Sequence, residues 1–129
     1  MNKNFPLKYS AYAHAIYIFI TAVWPLVHIE SFVAITGPKT DIWLVKTVGS
    51  LLIPISLTMV IHLKTMGDTG PLIVLGGTTA IAFICIDVYY ALNNTISDIY
   101  LADAVIELFF LIGWIFHGTK YLKHKTHSS

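Results

Sequence analysis

Four long apolar runs dominate the chain, at about residues 10–29, 42–63, 71–92 and 99–118. Each is close to the roughly 20 residues that a helix needs to cross the hydrocarbon core of a bilayer. In lipid every backbone polar group must be satisfied internally, so such runs can fold only as helices or closed barrels. A transmembrane barrel requires alternating segments of about ten residues, a pattern this sequence does not contain. The expectation is an all-α fold: a four-transmembrane-helix bundle forming one integral membrane domain over residues 1–129, with 119–129 as a basic tail. Composition agrees. The chain is 56% hydrophobic and 12% charged, whereas soluble domains run near about 45–50% apolar and about 25% charged.

The segment ends carry local signals. Gly37-Pro38 breaks the chain before the second run, and Asp41 is positioned to cap it. Gly67-Asp68-Thr69-Gly70 predicts a tight turn, with Pro71 at the first helical position, where a missing N–H is tolerated. Asn93-Asn94-Thr95 closes the third run, and Ser97 or Asp98 can cap the fourth. The connection between the first two runs is the longest and is expected to be a loop. The first run is too long for a signal-peptide core and lacks a small-residue cleavage site, so it is expected to be retained.

Lysines orient the chain. Lys3, Lys8, Lys64, Lys120, Lys123 and Lys125 fall at one end of the alternating helices, and Lys39 and Lys46 at the other. Six against two predicts cytoplasmic N and C termini. Trp43, Tyr89, Tyr90, Tyr100 and Tyr121 near the segment ends fit an aromatic belt. The lysine- and histidine-rich tail suits anionic lipid headgroups. All eight basic residues are lysine and the net charge is +1, so nothing argues for nucleic acid as a partner. Cys85 is the single cysteine, which excludes an internal disulfide and a cysteine-based metal cluster.

The chemistry sits in four residues at membrane depth: Lys46, Asp87, Asp103 and Glu107. Ionisable groups there are costly, face a bundle interior or a wet cavity, and mark function by default. Asp103 and Glu107 are spaced i, i+4 and share a helix face, which Tyr100, Phe110, Leu111 and Trp114 extend. Gly76, Thr79 or Ala80, Phe83 and Asp87 form a stripe on the third run, and Lys46, Gly49, Ser50 and Pro54 one on the second. His14, Tyr17, Thr21, Trp24 and His28 form a polar seam on the first. Three acids facing one lysine cannot all stay ionised, and Glu107, the deepest, is expected to carry a proton. The plainer alternative is that a Lys46–Asp103 pair only holds helices together. That would leave two further carboxylates without a purpose.

His14, His62 and His117 fall near the ends of three runs on one side. Three imidazoles could hold a transition metal, and two a haem. No dedicated ligand motif accompanies them, so no cofactor and no metal is expected. No nucleophile triad, nucleotide loop or zinc-protease motif is present, and no catalytic residue can be assigned.

The segment GPKTDIWLVKTVG, residues 37–49, resembles a signature of small bacterial four-helix integral membrane proteins. The stretch Asp87-Val88-Tyr89-Tyr90, with Ile96, Tyr100, Asp103 and Glu107, is similar to their second half. The resemblance implies the fold and a place in a bacterial inner membrane, and brings no activity. In size and helix number the chain is also similar to DoxX-type and EXPERA-type membrane proteins. That likeness is architectural, and architecture does not imply function.

Together these features predict an outward-facing polar cavity that binds or transports a small amphipathic or cationic ligand, with possible proton coupling. Lys46, Asp87, Asp103 and Glu107 would line it, with His28, Trp24 and Tyr90 at the rim. Alternatives are a membrane-embedded enzyme on a lipid, sterol-like or quinone substrate, with Asp103 and Glu107 as an acid–base pair, and an accessory subunit of a membrane complex. Membrane lipids are the expected partners, with a homo-oligomer or a second membrane protein also open.

Overall fold

The computed structural model describes residues 5–65 and 67–128 and is all-α. The described residues form five helices: α1 (Phe5–Val27), α2 (Ile29–Thr36), α3 (Ile42–Thr65), α4 (Thr69–Leu92) and α5 (Ile99–His127). Four of them, α1, α3, α4 and α5, are long and apolar enough to cross a membrane. Lys3, counted above with the basic end, lies outside the described residues.

The helices bury narrow stripes at 3-4 spacing, as packed helices do. On α1 the stripe is Leu7, Ala11, His14, Ala15, Ile18 and Ala22. On α3 it is Gly49, Leu52, Ser56 and Met59. On α4, Leu72, Gly76, Thr79, Ala80, Asp87 and Ala91 are buried, and on α5, Ala104, Glu107 and Trp114. The remaining faces expose Ile, Leu, Val and Phe along their length, which suits a lipid solvent. Two pairs pack most closely, α1 with α3 and α4 with α5, and α1–α5 and α3–α4 contacts join them. Small residues permit the closeness. A Cβ on Gly49 would stand 2.6 Å from the Ala22 carbonyl oxygen, and one on Gly76 would stand 2.2 Å from the Trp114 ring.

Two boundaries differ from expectation. The first helix starts at Phe5, not near residue 10, because the apolar face continues through Leu7 and Ala11 into the core. The last helix continues to His127, so the basic tail is helical. At about 1.5 Å per residue α5 is about 43 Å long, well beyond a core of about 30 Å.

The expected loop after the first run contains α2. Its start is held by His28, whose Nδ1 accepts the Ser31 N–H at 3.2 Å, and by the Trp24 indole, which donates to Ser31 Oγ at 2.9 Å. Trp24 packs edge-on against Phe32. Its end is held by Lys39, whose ammonium donates to the Thr36 and Gly37 carbonyls at 3.0 and 3.1 Å. A cation at a helix C-terminus is favoured by the dipole. The chain leaves α2 through Gly37 at φ 94, a conformation for which glycine lacks the Cβ penalty.

The Asp41 side chain accepts only from Thr40, at 3.4 Å, and caps α3 through its backbone carbonyl alone. Asp68 caps α4 by accepting the Gly70 N–H at 3.3 Å. The helix thus begins at Thr69, with Pro71 third rather than first, still among the orphan N–H groups of the first turn. At the far end Thr95 N–H bonds Tyr90 O and Asn94 N–H bonds Ala91 O, with Asn94 at φ 57. This is a Schellman closure with asparagine in the glycine position. Asp98 holds the N-cap position of α5 without a side-chain bond, and Ser97 Oγ accepts the Ile99 N–H at 3.4 Å.

Candidate functional site

The buried stripes of α1, α4 and α5 bring their polar members together. Asp87 is 3% exposed, Glu107 1% and His14 0%. Asp103 and Tyr17 lie one position off their stripes and are half-buried. The α1–α5 contact is antiparallel, so ascending residues of α1 meet descending residues of α5: His14 meets Glu107 and Tyr17 meets Asp103.

The arrangement has two halves. In the first, Trp114 Nε1–H donates to His14 Nδ1 at 3.0 Å, and His14 Nε2 meets Glu107 Oε2 at 2.8 Å. An indole N–H can only donate, so Nδ1 accepts and the ring proton sits on Nε2, donated to Glu107. Phe110 stacks on the imidazole at 4.4 Å between centroids. Each polar atom of His14 therefore has a partner, and a packed ring fixes the imidazole plane. Gly76 completes this half from α4, because only a residue without a Cβ leaves room for the indole.

In the second half, the Tyr17 hydroxyl donates to Asp103 Oδ1, and the Asp87 carboxyl neighbours that of Asp103. Asp87 Oδ2 is buried and has no hydrogen-bond partner. An orphaned buried acceptor costs about 1–3 kcal/mol, more when charged. Buried polar groups of this kind call for an explanation.

Lys46 stands apart from this cluster. It is exposed on α3, and among the described residues the ion pairs are His14–Glu107 and the surface pair His28–Glu30. The reason is register. The buried stripe Gly49, Leu52, Ser56, Met59 extends backward through Val45, and Lys46 falls about 100° to one side. The basic partner of the acids is His14. Expected near a helix end, it lies well inside α1 because α1 begins earlier.

The rim residues are also placed elsewhere. The seam on α1 splits, with His14 and Tyr17 turned to α5, and Trp24 and His28 engaged with Ser31 of α2. Tyr90 packs edge-on with Tyr89 at the end of α4. Among the described residues no three His, Cys, Asp or Glu side chains form a group able to hold a metal. His14, His62 and His117 thus do not converge. His62 has a buried Nε2 without a partner at the far end of α3. Cys85 is exposed.

His14 and Tyr17 were legible as a polar seam, but not as partners of the acids. The signal was present as an i, i+3 pair on one helix that matches an i, i+4 acid pair on an antiparallel one. No protein family, curated protein or solved structure matches the chain.

Proposed function

We propose that the chain is an integral protein of a bacterial cytoplasmic membrane, with both termini cytoplasmic. In this reading it binds or transports a small cationic, partly apolar ligand in exchange for a proton. The likeness to small bacterial four-helix membrane proteins, and in architecture to DoxX-type and EXPERA-type proteins, belongs to the same reading.

The observation that carries it is the unpartnered Oδ2 of Asp87, buried beside the half-buried Asp103. Surplus acid at membrane depth needs a positive charge to neutralise it. His14 serves Glu107, and Lys46 is turned away. The acceptor is therefore available to a ligand cation. Asp103 is the approach to it, with Trp24 and Tyr90 as aromatic surface toward the same end of the helices. Lys46 and His28 are exposed toward that end as well. Acid–base catalysis by Asp103 and Glu107 draws less support, because the two carboxyls are committed to different partners, Tyr17 and His14.

Thermal unfolding of detergent-purified protein with tetraphenylphosphonium, a lipophilic cation, tests this reading. The midpoint should rise with the cation and rise less at pH 5 than at pH 8, because protons compete for the same carboxyls. The rise should vanish in Asp103→Asn. An equal rise with the anion tetraphenylborate, or an undiminished one in Asp103→Asn, would show that the carboxyls bind no cation.

A further inference from the structure

Asp87 is buried on α4 and neighbours the acids of α5. From α5 it faces Asp103, with Glu107 one turn away on the same helix. From α1 the nearest titratable groups are the Tyr17 hydroxyl, donated to Asp103, and His14, whose nitrogens are both engaged by Glu107 and Trp114. From α3, Lys46 is exposed and His62 lies at the opposite end of the helix. No lysine or free imidazole among the described residues is turned toward the pair.

Burial and mutual repulsion both disfavour charge on neighbouring carboxyls that have no counter-ion, so one of the two is held neutral by a proton. A bare carboxylate with an orphaned oxygen at this depth is the costly alternative. A proton supplies the missing positive charge without needing room.

We infer that Asp87 and Asp103 hold one exchangeable proton between them, stored on the buried Asp87 and loaded and released through the half-buried Asp103. This rests on the reading of the cluster as a working site and names the counter-ion of that site. In release, the O–H bond on Asp87 breaks as one forms on Asp103. The negative charge passes to Asp87, and Asp103 then gives the proton to water at its accessible edge. Loading is the reverse, and nothing is oxidised or reduced. Tyr17 is a positioning residue here. Its hydroxyl holds Oδ1 of Asp103 and keeps that carboxyl turned toward the bundle. Glu107 takes no part, because His14 already donates to it.

Infrared difference spectroscopy of the protein in phosphatidylcholine vesicles reads this proton as a carboxylic-acid C=O band that shifts in D2O. The band should be present at neutral pH in the wild type and in Glu107→Gln, and absent from Asp87→Asn. Should Asp87→Asn fail to fold, Tyr17→Phe answers the same question. It removes a donor from Asp103 and must shift the band, whereas a band arising from Glu107 would not move. A band lost in Glu107→Gln, retained in Asp87→Asn, unmoved in Tyr17→Phe, or missing from the wild type overturns the inference. The two proposals fail separately. Absence of a thermal shift with tetraphenylphosphonium, alongside a band that disappears in Asp87→Asn, removes the ligand and keeps the proton.

Discussion

Gly76 matters for what it lacks. Its missing side chain lets the Trp114 indole lie against α4, and the indole N–H then fixes which nitrogen of His14 accepts. The orientation of His14 toward Glu107 thus depends on a glycine two helices away from it. Gly76→Ala should force the buried ring to move and cost about 1–3 kcal/mol, as overpacking does. Gly77→Ala is the control. Its Cβ would sit at an ordinary 3.7 Å from Trp114, and its thermal midpoint should stay near that of the wild type. The same chain of contacts ranks two further variants. His14→Ala leaves Glu107 buried without a donor, and stranding one member of a buried pair costs about 3–5 kcal/mol. Trp114→Phe keeps the ring packing and loses one hydrogen bond, worth about 0.6 kcal/mol within a membrane bundle. Equal midpoints for the two in thermal unfolding would mean that Glu107 does not rely on His14. These dependencies are hard to read from sequence, because Trp114 and His14 are 100 residues apart and meet only once the α1–α5 register is set.

At the scale of helices, the sequence was most informative where a residue acts on its own neighbours. Asn93-Asn94-Thr95 and Asp68 cap the same helix from its two ends, and both roles follow from local chemistry. It was least informative where hydropathy and position conflict. Residues 28–41 mix His28, Glu30 and Lys39 with apolar residues, and that mixture concealed α2. The helix is made by side-chain caps at both ends rather than by a long apolar period. Lys46 shows the same limit for faces, since one residue of offset on α3 turned it from the core to the outside. Asp68 offers a pH test at this scale. The Tyr121 hydroxyl donates to its Oδ2 at 3.1 Å, and Gly70 N–H to its Oδ1. These bonds, the tyrosine's first, hold its carboxyl below the ordinary carboxylate range. A lowered native value means that the stabilisation is present above the ordinary range and is lost as pH falls through the native value. Tyr121→Phe should raise the Asp68 midpoint toward the ordinary range in a carboxyl NMR titration. An unchanged midpoint would mean that the link between α5 and the α3–α4 turn is not formed in solution.

Across the whole molecule, charge is divided between the two ends of the helices. Lys8, Lys64, Lys120, Lys123 and Lys125 are exposed at the end where α4 begins, and Asp68 is the acid there. The opposite end carries Glu30, Asp41 and Asp98 with Lys39 and Lys46. Lys39 is held there by the α2 carbonyls and lies 5.1 Å from the Tyr100 ring centroid. The long α5 makes the asymmetry larger, because three lysines and two histidines follow its apolar stretch. Lysine bias near segment ends sets orientation, and acidic residues contribute little. The basic end should therefore be cytoplasmic, and the half-buried Asp103, near the start of α5, should lie toward the outer face. Cysteines introduced one at a time, at Ser128 on the basic end and at Thr40 on the other, test this with a membrane-impermeant maleimide on intact cells. Thr40→Cys should label and Ser128→Cys should not. Changing Lys120, Lys123 and Lys125 to Gln lowers the lysine excess from six against two to three against two, and should let part of the population label at Ser128→Cys. Labelling of Ser128→Cys in the otherwise unaltered chain would invert the molecule. Asp103 would then exchange its proton with the cytoplasm, and the direction of any proton-linked transport would reverse with it.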